Sequence, residues 1–236
     1  MPDIYRFFFG ISNMYIVKDK GVIVVDTGCF TEKEKYLEAF SEAGVAPTDV
    51  KLLVVTHGHT DHFDGISGLK EITGAPVVCH ALAAAALMSG VCPALIPRGE
   101  RGKEFLKLID GEFPAASPPL TPDMTFDAEF DLTPYGIAGK ILHTPGHSFC
   151  SSSVILDTGE AFVGDMATES PITQRPSLAL LAADEMQLFE SYRKILSSAN
   201  TIYVGHGQPL TRREFLNVFM DDGSEEAIQV AKEFGG

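Results

Sequence analysis

The chain has no run of about 18 uninterrupted apolar residues, the length a helix needs to cross a bilayer. Phe7–Phe9 is apolar, but Asn13, Lys18 and Asp19 follow too soon for a secretory leader. It is also poor in cysteine: Cys29, Cys79, Cys92 and Cys150 form no CxxC pair and no dense framework, so they read as buried thiols in a reducing compartment. Basic residues are scarce, 18 Lys and Arg against 32 Asp and Glu, a formal net charge of -14. Such a surface repels phosphate backbones and anionic lipids, which sets aside nucleic acid and membranes as partners. The expected setting is soluble and cytoplasmic, with a small molecule as the partner.

What is present is ordinary for a globular chain: 236 residues, 45% hydrophobic and 21% charged, enough to bury a substantial core. Short apolar runs bounded by Gly, Asp or Pro predict strands at Val22–Val25, Leu52–Val55, Pro76–Cys79, Ser153–Leu156, Ala161–Val163 and Ile202–Val204. They are continuous rather than alternating, as in sheets covered by helices. Thr31 and Glu34 suggest a capping box for a helix bearing Tyr36, Leu37 and Phe40 on one face and ending near Gly44. Further helices are predicted at Asp64–Ile72, Asp184–Leu196, Thr211–Phe219 (with Thr211 and Glu214 as a second capping box) and 224–234.

The stretch 81–140 differs. Helices are predicted at His80–Ser89 and Gly102–Ile109, then a linker through Pro114, Pro118, Pro119 and Pro122, then a hairpin at about 124–142. Neither half has the apolar content for its own core, so the expectation is one domain over 1–236 with an insertion or lid at 81–140. Its apolar residues Leu82, Leu87, Met88, Leu95 and Ile96 could equally serve a homodimer contact.

Three of the seven histidines, His57, His59 and His62, fall within six residues around Asp61, directly after the strand Leu52–Val55. Imidazole and carboxylate suit zinc or iron, and the lack of cysteine ligands argues against a closed structural zinc site. Further on, His147 ends HTPGH, Asp165 follows a strand through Gly164, and His206 follows another through Gly205. A lone strand-end His or an Asp after Gly is ordinarily a surface or turn residue. The repeated order of strand, Gly and potential ligand favours a shared site.

The succession HGHTDH, HTPGH, GD and GHG closely resembles the metallo-β-lactamase superfamily over nearly the whole chain, with VVDTG at Val24–Gly28 matching an early motif and SNMYIV at Ser12–Val17 resembling its first strand. The resemblance implies an α/β fold, a four-layer αββα sandwich with two divalent metal ions at one edge: zinc first, iron or manganese next. It places His57, His59 and His147 on one ion, Asp61, His62 and His206 on the other, and Asp165 between them. A shared water, its pKa lowered by two cations, would be the nucleophile, with Asp61 and Asp165 the catalytic carboxylates. Asp26 is either a turn former or the acceptor that orients a metal-bound imidazole. His143 is expected to be structural or to support the ligands, and His80 a core or surface residue.

Within the superfamily, oxygen-reducing di-iron relatives carry a glutamate where His59 stands, which favours hydrolysis. Thioesterases resembling glyoxalase II usually add a helical C-terminal region with basic contacts, which the short stretch after Phe219 does not supply. Lactonases carry a Tyr where Thr168 stands. The expected activity is therefore a dinuclear metal-dependent hydrolase of a small ester, thioester or lactone, with phosphoesters ranked lower. The insertion and the loop Glu169–Leu181 are expected to shape the pocket, and Arg98, Arg101 and Arg175 are candidates to meet an anionic group. The rival readings are a mononuclear iron oxygenase resembling persulfide dioxygenases and a non-catalytic metal-binding sensor.

Overall fold

The computed structural model describes residues 1–30, 32–110, 114 and 116–235. Two six-stranded sheets stack face to face. The first runs β1 (Asp3–Phe9), β2 (Ser12–Lys18), β3 (Val22–Val25), β4 (Val50–Val55), β5 (Val77–His80) and β6 (Met124–Phe126) in spatial order. Its first three strands are antiparallel and the rest parallel. The second sheet contains β7 (Glu129–Asp131), β8 (Gly139–His143), β9 (Ser152–Leu156) and β10 (Glu160–Phe162). A separate two-stranded hairpin, β11 (Ala167–Ser170) with β12 (Arg175–Leu178), comes before the second sheet is completed by β13 (Thr201–Tyr203) and β14 (Leu210–Thr211). The order across that sheet is β14-β13-β10-β9-β8-β7.

Eight α-helices occur among the described residues: α1 (Lys33–Glu42), α2 (Thr60–Phe63), α3 (Ile66–Thr73), α4 (Ala84–Ser89), α5 (Gly99–Leu108), α6 (Glu185–Leu196), α7 (Arg212–Asp222) and α8 (Glu225–Phe234). Three apolar clusters define four layers. Tyr15, Val17, Ile23, Val25, Leu52 and Val54 face Ile141, Val154, Leu156 and Phe162 between the sheets. The alternate residues Met14, Ile16, Val22, Val24, Leu53 and Val55 pack under α1, α3 and α4. Ile155, Ala161, Ile202 and Val204 pack under α6, α7 and α8. Both faces of each central strand are therefore dry, which explains the unbroken apolar runs.

The predicted strands lie within a residue or two of the observed ones, and Thr211 with Glu214 does form a reciprocal capping box on α7. Thr31 lies outside the described residues, and Glu32 occupies the N-cap of α1. On α1 the buried residues are Tyr36, Ala39 and Phe40, whereas Leu37 faces solvent. Ser12–Val17 is the second strand, because Asp3–Phe9 precedes and pairs with it. The hairpin expected at 124–142 divides: β6 joins the first sheet beside β5, and only β7 and β8 form the hairpin, in the second sheet. The stretch 81–140 thus feeds both sheets. Its α4 region also buries Ala83, Ala86 and Leu87 under the first sheet, while Phe105 of α5 and Ile109 just after it line a cavity beside the histidines.

Candidate metal centre

All seven predicted site residues lie at one edge of the sandwich, in the segments just beyond β4, β8, β10 and β13. The apolar strand β4 ends at Val55, and the chain turns through Thr56 and Gly58 into the single turn of α2. Gly58 N–H is held by Cys150 Sγ at 3.3 Å. His57 and His59 thereby project from the loop, and Asp61 and His62 from α2. Gly164, with φ of +54°, and Gly207, with φ of +109°, allow the tight turns that flank Asp165 and His206. Gly205 leaves room for the site itself, since a methyl there would press on Asp165 Oδ1 and lie 2.6 Å from His62 Cε1.

The ligand atoms form two groups, His57, His59, His147 and Asp165, and Asp61, His62 and His206. His59 Nδ1 lies 3.0 Å from both His57 Nε2 and His147 Nε2. Asp61 Oδ2 lies 3.4 Å from His62 Nε2 and 3.2 Å from His206 Nε2. Asp165 joins the groups: Oδ2 is 3.9 Å from His57 Nε2, 3.7 Å from His147 Nε2 and 3.3 Å from His206 Nε2, and Oδ1 is 3.1 Å from His62 Nε2.

The opposite ring nitrogens are fixed. His147 Nδ1–H donates to the Leu181 carbonyl at 3.1 Å and His206 Nδ1–H to the Ile11 carbonyl at 2.6 Å. His62 Nδ1–H donates to Asp26 Oδ2 at 2.8 Å. The Thr56 hydroxyl also donates to Asp26 Oδ2 at 2.8 Å, so its lone pair accepts from His57 Nδ1–H at 3.0 Å. In its neutral form each of these four rings therefore turns an Nε2 lone pair towards the centre. Asp26 Oδ1 in turn accepts the Thr56 backbone N–H at 2.8 Å. One buried carboxylate, in a left-handed turn at φ of +56°, thus orients an imidazole of each group. Both readings of Asp26 hold together, and Thr56 is a supporting residue that the sequence did not reveal.

Burial and neighbouring imidazoles push His57 and His147 below their ordinary range and His59 down to about 3. These rings are neutral, as ligands must be. For His62 and His206 burial acts the same way but is outweighed by the surrounding carboxylates, raising His62 well above its ordinary value and His206 to about 10. Burial would raise Asp61 and Asp165, yet His62 and His206 hold both below the ordinary carboxylate value. Asp61 Oδ1 and Oδ2, His62 Nε2 and Asp165 Oδ1 are buried and find no hydrogen-bond partner among the described residues. Buried ionised groups without a donor are costly unless a cation completes them, so the residues present fit two divalent ions.

His143 and His80 do not join the cluster. Their rings stack at 3.8 Å between centroids, His143 Nε2 bonding the Phe149 carbonyl and His80 Nε2 the Asp127 carbonyl. Both are structural.

A cavity of about 670 Å³ opens onto the ligands. Phe8 lines it from β1 and Ile11 from the β1–β2 turn, Phe105 and Ile109 from α5 and the residue after it, and Thr168, Glu169, Ser170 and Gln174 from the small hairpin, with Leu180 and Leu181 beyond. The expected contributions from 81–140 and 169–181 are present; Phe8 and Ile11 carried no signal in the sequence. None of the three candidate arginines lines it. Arg98 is committed to Asp222, at 2.6 and 3.1 Å, and to Glu185 at 3.3 Å, Arg101 faces a different, shallower groove, and Arg175 lies on exposed β12.

Two covered sheets between helical layers, with this loop-borne cluster at one edge, define a metallo-β-lactamase sandwich. Residues 8–206 match the family model described as the metallo-beta-lactamase superfamily, and the chain belongs to that superfamily. Among curated relatives, the human protein named metallo-beta-lactamase domain-containing protein 1 is 49% identical over 195 residues, 80% of this chain and 59% of that protein. The mouse protein of the same name is 28% identical over 194 residues, 80% and 61%. The match thus spans about three-fifths of these relatives' length. Among solved structures, the B3 metallo-beta-lactamase BLEG-1 superposes with a TM-score of 0.69 at 19% identity, covering 91% of this chain and 97% of its own. TTHA1623 in a di-iron-bound form gives 0.64 at 24%, covering 90% and 96%. A superfamily protein from the archaeon Sulfolobus tokodaii gives 0.68 at 18%, covering 95% and 88%. At these identities the likeness concerns the fold. Among the described residues no helix is long and apolar enough to cross a membrane.

Proposed function

We propose that the protein is a dinuclear metal-dependent hydrolase of a small ester, thioester or lactone. The observation that carries this is Asp165, whose carboxylate reaches both ligand groups, Oδ2 towards His57, His147 and His206 and Oδ1 towards His62, while Asp61, His62 and Asp165 present buried atoms that find no partner among the described residues. Two divalent ions held there would acidify a shared water and polarise the carbonyl under attack. His57, His59 and His147 would hold one ion, and Asp61, His62 and His206 the other. Asp165 would reach both, keeping them close enough to act on one substrate.

The chain's own contribution is orientation and exclusion of solvent. Asp26 and Thr56 fix the His57 and His62 rings, backbone carbonyls fix His147 and His206, and the apolar cavity walls present a substrate body to the ligand edge. Asp61 and Asp165, committed as ligands, act by charge and placement rather than as free bases. Zinc is the first choice for these nitrogen and oxygen donors, although a relative of the same fold has been seen with two irons.

Metal quantitation on protein purified without added metal, followed by a screen of esters, thioesters, lactones and phosphodiesters, tests the reading. Two ions per chain and turnover of a carbon ester or thioester are expected. One iron per chain with oxygen consumption on a persulfide would replace this reading with the oxygenase.

A further inference from the structure

The cavity next to the metal centre has an uneven chemistry. Outside the metal-ligand groups its walls are mostly hydrocarbon, from Phe8, Ile11, Phe105, Ile109, Leu180 and Leu181, and the described lining residues include no lysine or arginine. The residues outside the described set, Thr31, Gly111, Glu112, Phe113, Ala115 and Gly236, include none either. Among the described residues the one charged lining side chain besides the ligand group is the solvent-exposed Glu169. It stands on β11, where its backbone N–H donates to the His206 carbonyl at 2.8 Å. Its side chain lies against Gly207: a Cβ built there would sit 2.6 Å from Glu169 Cβ and 3.1 Å from Oε2. Among the described residues no hydrogen bond or ion pair engages that carboxylate. The Arg6 guanidinium is turned to Asn13 Oδ1 at 3.0 Å and the Gly207 carbonyl at 3.4 Å, and it does not line the cavity.

We propose that the cavity selects substrates whose body beyond the reacting carbonyl is hydrocarbon and either neutral or cationic, and that Glu169 is the specificity-determining residue that turns away anionic ones. This rests on the hydrolytic reading of the same site. The volume, about 670 Å³, lies within the range of about 300–1,000 Å³ that encloses a medium-sized organic molecule. A carboxylate or phosphate in that body would be desolvated against aliphatic walls with no cation to receive it, and would face Glu169. The overall charge of -14 adds a long-range term of the same sign. Anions drawn to the metal centre itself are a separate matter, because the selection concerns the part of the substrate that lies beyond the reacting carbonyl. A cationic or N–H-bearing group in that body would instead find an acceptor in Glu169.

The test uses the metal-loaded protein and three 4-nitrophenyl esters of equal chain length: hexanoate, 6-(trimethylammonio)hexanoate and the adipate half-ester. Their ketone counterparts, with CH2 in place of the ester oxygen, give equilibrium binding without turnover. In the wild type kcat/KM for the adipate is expected about tenfold or more below that for the hexanoate, with the ammonium ester at least equal to the hexanoate, from one like-charge contact in a partly solvated pocket. The gap should shrink in Glu169→Gln, reverse in Glu169→Lys, and narrow with added salt. The ketones should follow the same order in Kd. A wild type that prefers the adipate, or the same adipate-to-hexanoate ratio in Glu169→Lys as in the wild type, would overturn the proposal. If the ketones rank as expected but no ester is cleaved, the selectivity stands and the hydrolytic reading falls. If esters are cleaved without regard to charge, the reverse holds.

Discussion

Replacing Asp26 by Asn should weaken metal binding in both ligand groups while leaving the fold intact. The native carboxylate accepts three hydrogen bonds, from the Thr56 backbone, the Thr56 hydroxyl and His62 Nδ1, each at 2.8 Å. An amide has one acceptor oxygen, so at least one of these donors would face an NH2 group. If that donor is His62, the ring loses the partner that keeps its proton on Nδ1, and a supporting contact of this kind is worth about 10–100-fold in metal affinity. If it is the Thr56 hydroxyl, the relay to His57 is disturbed and the other group weakens. Asp26→Ala adds a structural cost. It strands the buried Thr56 N–H, about 1–3 kcal/mol of apoprotein stability. Titration against a competing chelator, with thermal unfolding of the metal-free protein, separates the two effects. Thr56→Val provides the internal comparison, since it cuts only the His57 arm and should weaken chiefly the His57, His59 and His147 group. Wild-type affinity in both groups of the Asn variant, with undiminished stability of the metal-free protein, would refute the assignment of Asp26 as their common anchor, because an amide that keeps both ring contacts on its oxygen must strand the Thr56 N–H.

Asp165→Ala should lose metal from both groups and abolish turnover, because its carboxylate reaches both; two ions per chain in that variant, by elemental analysis, would contradict this. Gly205→Ala should leave the fold standing but block the site, since the new methyl meets Asp165 and His62; circular dichroism with metal counting checks both halves. Metal affinity of the Asp61, His62 and His206 group should rise steeply with pH, because His62 and His206 have raised values, the latter about 10, and must give up protons to bind. The His57, His59 and His147 group, with lowered values, should change little from neutrality upward. Calorimetry in buffers of different ionisation enthalpy measures the protons released. In the metal-free protein the sign is opposite: the stability contributed by His206 is fully present below its ordinary 6.5 and lost as pH rises through about 10. Arg98→Met should cost about 3 kcal/mol by stranding the largely buried Asp222, and denaturant melts would show it.

Much of this protein was legible in its sequence because local chemistry determined it. Continuous runs such as Val22–Val25 and Leu52–Val55 could only be strands dry on both faces, and Thr211 with Glu214 could close a cap without help from the rest of the fold. The ligand residues were visible because imidazoles and carboxylates were placed directly after strands, at positions fixed by glycines. Tertiary structure decided what depends on distant pieces meeting. The sequence could not say that β6 and β7, two residues apart, enter different sheets, because register is set by which face finds a partner. Nor could it show that Asp26 reaches His62 directly and His57 through Thr56, or that Arg98 turns to Asp222 instead of the cavity. The cavity itself, with Phe8 from the first strand, Phe105 from α5 and Glu169 from the small hairpin, exists only where those segments converge. The sequence alone determined which side chains can bind metal; convergence in space decided how they are oriented and what kind of molecule can reach them.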